Sequence, residues 1–280
     1  MVIEKQDIYL GLANAGSSYG VLKKAALSPE ILNFLWTNGI SKLDSSNLYP
    51  NAEHLIQKSG KKWYIQKKIR LPEIELNKST LIEIFKKNVS SNNGINTILI
   101  HNDNLYLRSD AILILQTFRN QAELLGIQRF GISIYRPSEL ENLSTLDGIN
   151  VIQFPHNLFD SNCFSWIQKN LSNSLIVKQA RSIFLQGLIF ASEKNVNTVN
   201  KELAKSIRSW QIEILEQNKN PLDEAINYVF TNPHLSEAVV GIESISHAMR
   251  LFESIEGVKP YTGKVYSLPV ECTDPRSWRN

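Results

Sequence analysis

Short apolar runs alternate with longer amphipathic stretches along the whole chain. The runs are apolar on both faces, as expected of strands that are buried on both sides of a parallel sheet. The predicted strands are Ile8–Leu12, Ser41–Leu43, Lys62–Gln66, Thr97–Ile100, Arg129–Ser133, Val151–Phe154, Leu175–Ala180 and Ala238–Val240.

The stretches between these runs have the apolar spacing of helices. The first has clear end signals, because Ser28 is a good N-cap, Pro29 suits the first helical turn, and Asn38-Gly39 suits the end. Another helix begins at Asn51-Ala52-Glu53. The remaining helices are predicted over Ser79–Asn92, Ser109–Leu125, Arg136–Leu146, Val199–Gln217, from Asn220-Pro221 to near Asn232-Pro233, and Ser244–Ile255.

Strand–helix alternation repeated eight times in 280 residues predicts an α/β fold of the (β/α)8 TIM-barrel type. We expect one domain over residues 1–280, with residues 256–280 forming a C-terminal tail near the active site. The composition is 42% hydrophobic and 20% charged, which is ordinary for a globular protein.

Charge and cysteine content exclude several classes of function. A formal net charge of +3 is too small to indicate a nucleic-acid surface. The two cysteines are far apart, which argues against a disulfide framework or a zinc site. The chain shows neither a secretion signal nor an apolar run long enough for a membrane span, so we expect a cytoplasmic protein.

The candidate chemistry lies at the predicted strand ends. Asp44, Lys67 and His101 each follow an apolar run, and Tyr49 comes five residues after Asp44. Because the carboxyl ends of barrel strands meet at one rim, these side chains predict a proton-donating centre. Lys68 is the alternative to Lys67, since side chains alternate along a strand.

These residues resemble the aldo-keto reductase family over nearly the whole chain. Asp44, Tyr49 and Glu53 stand in register with the family's Asp-Thr-Ala-x-x-Tyr-Gly-x-x-Glu, although Pro50 replaces the glycine. Further matches, in chain order, are Gly11, Tyr19-Gly20, Lys67, His101-Asn102, Gly131-Ile132-Ser133, Gln153, Gly241-Ile242-Glu243-Ser244 and Asp274-Pro275-Arg276-Ser277-Trp278. The segments Gln153–Asp160 and Arg181–Leu188 resemble a bacterial branch of the family.

The resemblance implies reduction of a small aldehyde or ketone by NAD(P)H. Tyr49 would be the general acid, and Lys67 would lower the pKa of its phenol by favouring the phenolate. Asp44 would pair with Lys67, and His101 would donate a hydrogen bond to the carbonyl, orient it or help to protonate it.

The resemblance also implies a set of cofactor-binding residues and no metal. Ser133 and Gln153 match positions that hold the nicotinamide carboxamide, and Arg181 stands where an aromatic ring usually stacks on the nicotinamide. A guanidinium can stack as a plane or pair with phosphate. The complete set is Gly11, Leu12, Ser133, Gln153, Arg181, Ser182, Phe184, Gln186, Gly241, Ser244 and His247.

NADPH is the expected cofactor, with NADH as the alternative, because Glu243 would repel a 2′-phosphate. Leu12 and Gln66 also depart from the family pattern. We expect the pocket to be closed by the segment after His101, the loop after Arg181 and the tail Glu256–Asn280. Trp278 either reaches the pocket or anchors the tail.

Two other functions stay open. The same fold can serve as a dinucleotide-binding regulatory protein or subunit with little turnover. An unrelated barrel enzyme such as a metal-dependent hydrolase would need clustered histidines or carboxylates, whereas the histidines here are scattered. The sequence does not indicate the physiological substrate or the oligomeric state.

Overall fold

In a computed structural model of the chain, parallel strands close into a barrel in the order in which they occur in the sequence. The model describes residues 2–15, 27–89, 94–101, 105–141, 148–172 and 174–278. The strands are β1 (Ile8–Gly11), β2 (Lys42–Ser46), β3 (Tyr64–Ile69), β4 (Ile95–Ile100), β5 (Arg129–Ser133), β6 (Val151–Pro155), β7 (Val177–Arg181) and β8 (Glu237–Val240). Since β8 pairs with β1, the barrel is closed, and the predicted (β/α)8 architecture is confirmed.

Helices surround the barrel and connect its strands. They are α1 (Pro29–Thr37), α2 (Ala52–Ser59), α3 (Lys78–Val89), α4 (Ala111–Leu124), α5 (Ser138–Glu141), α6 (Asn162–Leu171), α7 (Glu193–Asn197), α8 (Lys201–Glu216), α9 (Pro221–Phe230), α10 (Ile245–Glu256) and α11 (Val270–Thr273). Short 3₁₀ turns cover Lys5–Asp7, Leu105–Leu107, Leu185–Phe190 and Pro275–Trp278. None of the helices described combines the length and the apolar composition needed to cross a bilayer.

The predicted helix ends agree with the structure where they rest on capping chemistry. The Ser28 hydroxyl accepts a hydrogen bond from the backbone N–H of Ile31, and Pro29 is the first residue of α1. The sequence analysis missed α6, whose buried face consists of Cys163 and Ile167 within a segment rich in serine and asparagine. The predicted helices that continue into residues 90–92 and 142–146 extend beyond the described residues.

The third strand begins and ends later than the sequence predicts, and its register shows which lysine faces the inside of the barrel. It covers Tyr64–Ile69, and its register with β2 pairs Asp44 with Gln66 and Ser46 with Lys68. Because successive side chains of a strand point to opposite faces, Gln66 and Lys68 point inward and Lys67 points outward.

The interior of the barrel is polar in its middle layers. Gln66, Gln153 and Gln179 are fully buried, and both Gln66 and Gln153 donate to the side-chain oxygen of Gln179, at 2.8 and 2.7 Å. Gln179 in turn donates to Glu237 at 3.0 Å, and Arg129 donates to both carboxylate oxygens of Glu237 at 2.9 and 2.8 Å. TIM-barrel interiors are usually filled by branched apolar residues, so this chain of amides and ions is a specific feature of its core.

Gly131, which matches the aldo-keto reductase pattern, is required by the packing of two strands. Strand β5 approaches β6 so closely at this point that a Cβ atom on residue 131 would collide with the carbonyl oxygen of Val151. Glycine is therefore required by the spacing of the two strands, whatever the function of the neighbouring Ser133.

His156 follows β6 and is fully buried among aromatic rings. Its ring centroid lies 4.6 Å from that of Phe164 and 5.0 Å from that of Tyr228, and Asn232 approaches its Nε2 at 3.4 Å. Burial lowers the pKa of His156 to about 3. The ring is therefore neutral in the folded protein at any pH near neutrality.

The stability of the fold should weaken in mild acid because of His156. In the unfolded chain this histidine titrates near its ordinary pKa of about 6.5, so the stability present above that pH is lost as the pH falls toward 3. Between pH 7.5 and 4.5, the free energy of unfolding of the parent, measured by urea denaturation, should fall by about 2–3 kcal/mol more than that of His156→Phe. The exposed-site control His54→Phe should follow the parent, and equal slopes for parent and His156→Phe would contradict the expectation.

Candidate active site

A cavity of about 510 Å³ opens at the end of the barrel where the strands have their carboxyl termini. Asp44, Tyr49, Lys68 and His101 form its inner end, together with Tyr135. The rest of the wall comes from β1, from the segment after β7, from the start of α9 and from β8 with the start of α10. In (β/α)8 barrels this rim is where active sites are built.

A buried ion pair organises the inner end of the cavity. Lys68 donates to Asp44 with a distance of 2.6 Å between Nζ and Oδ2, and both side chains are almost completely buried. The other oxygen of Asp44 accepts hydrogen bonds from Gln66 at 2.7 Å and from Gln153 at 3.0 Å. Burial lowers the pKa of Lys68, but the charge and hydrogen bond of Asp44 together with the nearby Tyr49 outweigh it, so the pKa is raised and the lysine is cationic.

Lys67 does not belong to this site, and the sequence-based choice between the two lysines was wrong. Its Nζ lies 2.6 Å from Glu53, whose side chain is 63% exposed on helix α2, outside the barrel. The choice of Lys67 came from its match to the strand-end lysine of the family pattern. Because the strand continues to Ile69, the alternation that directs Gln66 inward also selects Lys68.

Tyr49 lies beside Lys68, with the ammonium nitrogen 5.7 Å from the centroid of its ring. Burial raises the pKa of Tyr49, while Lys68 lowers it as a nearby charge and as a hydrogen-bonding neighbour. The effect of burial on the pKa is larger than that of Lys68. The phenol is therefore less acidic than a free tyrosine, whereas the sequence analysis expected it to be more acidic. The hydroxyl keeps its proton at neutral pH and is available as a donor.

His101 follows β4 and is fixed by a backbone contact. Its Nδ1 lies 3.1 Å from the carbonyl oxygen of Ser133. A carbonyl can only accept, so Nδ1 carries the proton and Nε2 of the neutral ring is an acceptor. Burial, followed by the charges of Lys68 and Arg181, lowers the pKa of His101 well below its ordinary value. The neutral ring cannot give a carbonyl the hydrogen bond that the sequence analysis assigned to it.

Arg181, at the end of β7, packs flat on Tyr135. Its guanidinium carbon lies 4.0 Å from the centroid of the Tyr135 ring. The guanidinium carbon of Arg276, a residue of the C-terminal segment, lies 4.0 Å from the same centroid. The ring of Tyr135 is also 5.5 Å from that of His101. Sequence reasoning missed Tyr135, because a tyrosine two residues after Ser133 carries no signal of its own.

The candidate cofactor residues divide into two groups. The members on the cavity wall are Gly11, Arg181, Ser182, Phe184, Gln186, Gly241 and His247.

Four candidates lie outside the cavity lining and have structural roles. Leu12 is fully buried in the core. Ser133 donates to Gln153 at 2.7 Å, and Gln153 is 0% exposed, with its amide nitrogen bonded to Asp44 and Gln179. Ser244 caps α10 by accepting from the backbone N–H of His247 at 3.1 Å. The structure therefore gives Ser133 and Gln153 a role in holding the floor of the site.

The segment after β7 has an unusual backbone where it lines the cavity. Ser182, Leu185 and Gln186 have φ angles of 54°, 48° and 54°, in the left-handed region that residues other than glycine rarely occupy. Such strain persists only where surrounding structure imposes it, and it is concentrated at binding sites. The segment forms one wall of the cavity, as the sequence analysis expected of the loop after Arg181.

The opposite wall has the chemistry of a phosphate and ribose site. It contains the start of the twelve-residue helix α10, with His247 and Arg250 on the cavity side and Glu243 just before the helix. A helix N-terminus with an arginine nearby favours phosphate, and a carboxylate accepts from a ribose hydroxyl. The residues present therefore fit a dinucleotide.

The described part of the C-terminal tail contacts a residue of the cavity wall and does not line the cavity itself. Arg276 contacts Tyr135, and Trp278 donates to the carbonyl of Cys272 at 2.9 Å and packs on an apolar cluster beneath α8. Trp278 thus anchors the tail. Among the residues described, none from 256 to 278 belongs to the cavity lining.

Some sequence expectations fall outside the described part of the chain. These expectations concern Tyr19-Gly20, Asn102 and most of the segment directly after His101. Within the described ranges, no three histidine, cysteine, aspartate or glutamate side chains are grouped as metal ligands.

Comparison with known proteins gives a structural likeness and no sequence match. No protein-family model matches the chain, and no curated protein matches it. Aldo-keto reductase AKR11C1 from Bacillus halodurans in its holo form is 16% identical, with a TM-score of 0.69 over 91% of this chain and 88% of that one. MGS-M4, an aldo-keto reductase from a Medee basin deep-sea metagenome library, is 15% identical, with a TM-score of 0.59 over 96% and 97%. The chain therefore has the fold found in aldo-keto reductases.

The two lysines should differ sharply in their effect on stability. Lys68→Met leaves Asp44 as an uncompensated buried charge and should lower the free energy of unfolding by about 3–5 kcal/mol. The Lys67 side chain is also buried, but Lys67→Met leaves behind only the carboxylate of Glu53, which is 63% exposed and solvated. This change should therefore lower the free energy of unfolding by less than about 1 kcal/mol. Urea denaturation at pH 7 measures both. Equal losses, or a larger loss for Lys67→Met, would contradict the inward orientation of Lys68.

Proposed function

We propose that the protein is an aldo-keto reductase that reduces an aldehyde or ketone to an alcohol with NAD(P)H. The observation that carries this proposal is the grouping of Tyr49, Lys68, Asp44 and His101 at the inner end of a cavity in a barrel of the aldo-keto reductase fold. Lys68 takes the role that the sequence pattern had given to Lys67.

The chemistry of these side chains suits carbonyl reduction. Negative charge grows on the carbonyl oxygen as hydride reaches the carbon, and a proton donor is needed within hydrogen-bond reach. Tyr49 is protonated at neutral pH and supplies that proton. Lys68 stabilises the phenolate left behind, and Asp44 holds the lysine in place.

His101 contributes orientation in this scheme. With the proton on Nδ1, its Nε2 accepts a hydrogen bond from a hydroxyl group. The product alcohol has one such hydrogen, which goes to the phenolate of Tyr49 in the oxidative direction. Once Tyr49 is protonated and donates to the alcohol oxygen, the alcohol's O–H is free to donate to Nε2 of His101. The ring therefore helps to place the oxygen without acting as the acid.

The nicotinamide cofactor, when bound, supplies the hydride. Ser182 and Gln186 on one wall and His247 and Arg250 on the other are the residues that would hold its phosphates. NADPH is the proposed cofactor, and NADH is the alternative because Glu243 stands at the same wall and would oppose a 2′-phosphate.

Tyr49→Phe should remove the activity while retaining the cavity. A general acid contributes about 100- to 10,000-fold, so kcat for reduction should fall by at least about 100-fold. Purified protein is mixed with NADPH or NADH and a panel of aldehydes and ketones, and nicotinamide absorbance is followed. Cofactor affinity, measured by quenching of tryptophan fluorescence, should stay within about threefold of the parent.

Lys67→Met is the matched control and should keep the parent's rate, because Lys67 lies outside the barrel. If Tyr49→Phe reduces aldehydes as fast as the parent, Tyr49 is not the acid. If the parent binds a dinucleotide but oxidises it negligibly with every carbonyl in the panel, the regulatory or subunit alternative replaces the proposed enzyme.

The pH profile of reduction should lack a histidine step. The pKa of His101 is lowered well below 6.5 and that of Tyr49 is raised above 10, so neither group titrates between these limits. For the parent, kcat/KM should be flat from pH 6 to 9 and should fall only as Tyr49 loses its proton at higher pH. A step near pH 6.5 that persists in the control His247→Asn and disappears in His101→Asn would show that His101 titrates normally.

A further inference from the structure

The side chains that line the inner end of the cavity carry one more positive than negative charge. Lys68 is neutralised by Asp44 at 2.6 Å, and the imidazole of His101 is uncharged. Arg181 adds a permanent positive charge on the wall next to Tyr135. Glu243 and Arg250 lie at the far wall, on the segment after β8.

No carboxylate among the described residues is in contact with Arg181, although the buried side chains of Glu139 and Asp160 lie near enough to interact with its charge. Arg181 is 8% exposed, and the partners given by the described residues are both neutral: the carbonyl oxygen of Ile134 at 2.7 Å and the hydroxyl of Ser182 at 3.3 Å. Its Nε is buried without a hydrogen-bond partner in that part of the chain. A guanidinium has five N–H donors, and burying such a charge unpaired is costly.

The surroundings hold this guanidinium in one orientation. Tyr135 covers one face at 4.0 Å and is itself braced from the other side by Arg276. Arg276 pairs with Asp274 at 2.7 Å, and this ion pair fixes the position of the Arg276 guanidinium. A planar fork that is already ordered loses little entropy when it binds an anion, and it matches carboxylate and phosphate geometry.

We propose that Arg181 is the binding site for an anionic group of the substrate, and that the enzyme prefers carbonyl compounds with a carboxylate or phosphate close to the carbonyl. This inference rests on the proposed reductase function. It assigns Arg181 to the substrate, whereas its place in the sequence pattern suggested the cofactor.

The position of Arg181 favours the substrate over the cofactor's pyrophosphate. The ring centroid of Tyr135 lies 5.5 Å from that of His101 and 4.0 Å from the guanidinium carbon of Arg181, so Tyr135 adjoins both side chains. The NH2 group of Arg181 donates to the carbonyl oxygen of Ile134, the residue directly after β5. An anion bound there lies within a short carbon skeleton of a carbonyl beside Tyr49 and His101.

The test compares acids with their own esters. Phenylglyoxylate, 2-carboxybenzaldehyde and 4-carboxybenzaldehyde are each paired with the methyl ester, and kcat/KM is measured for the parent, Arg181→Gln and Arg181→Lys. A charge-assisted hydrogen bond corresponds to about 10- to 100-fold, so the parent should prefer at least one acid over its ester by that factor. Arg181→Gln should abolish the preference, and Arg181→Lys should restore part of it.

Arg250→Gln is the matched control, because it removes the same charge from the opposite wall. It should leave the acid-to-ester ratio of the parent unchanged. The proposal is overturned if Arg181→Gln lowers kcat/KM for acid and ester equally, or if the affinity for NADPH falls by the same factor as the acid's kcat/KM. The second result would assign Arg181 to the cofactor's phosphates.

A binding experiment separates this inference from the reductase proposal. Phenylglyoxylate alone should raise the thermal unfolding midpoint of the parent, and its methyl ester should not. Arg181→Gln should lose the shift, and Arg250→Gln should keep it. A shift in a protein that reduces no carbonyl would refute the reductase and retain the anion site, whereas active reductase without any acid preference or shift would refute the anion site alone.

Discussion

The buried ion pair between Asp44 and Lys68 is the interaction on which the rest of the site depends. Its two charges are 2.6 Å apart, inside a barrel whose interior offers little water. Neither charge is tolerable there without the other. Because Asp44 also accepts from Gln66 and Gln153, the pair is fixed to three strands, and Lys68 is held beside the phenol of Tyr49.

The polar interior below the site explains how that pair is supported. Gln179 connects the amides around Asp44 to Glu237, and Glu237 is held by Arg129 near the other end of the barrel. A chain of hydrogen bonds therefore replaces the apolar layers that usually fill such a barrel. It holds the inner end of the cavity in position, since displacing one amide would leave several buried groups unpaired.

The wall next to the pair depends on a contact between distant parts of the chain. Tyr135 lies between the guanidinium groups of Arg181 and Arg276, and it adjoins His101. The C-terminal segment thus shapes the cavity without entering it. This arrangement gives a physical reason for an arginine at the end of β7, where the sequence pattern led us to expect an aromatic ring.

The sequence by itself determined the alternation of strands and helices, and with it the barrel and the rim at which Asp44, Tyr49 and His101 meet. Those features follow from local periodicity and from the rule that parallel strands end at one edge. Only the tertiary structure decided between Lys67 and Lys68, because the register of β3 in the barrel fixes which of two successive side chains points inward. It also decided that Gln153 supports Asp44, that His101 is a neutral acceptor and that Tyr135 joins two arginines, since these contacts link residues far apart in the chain.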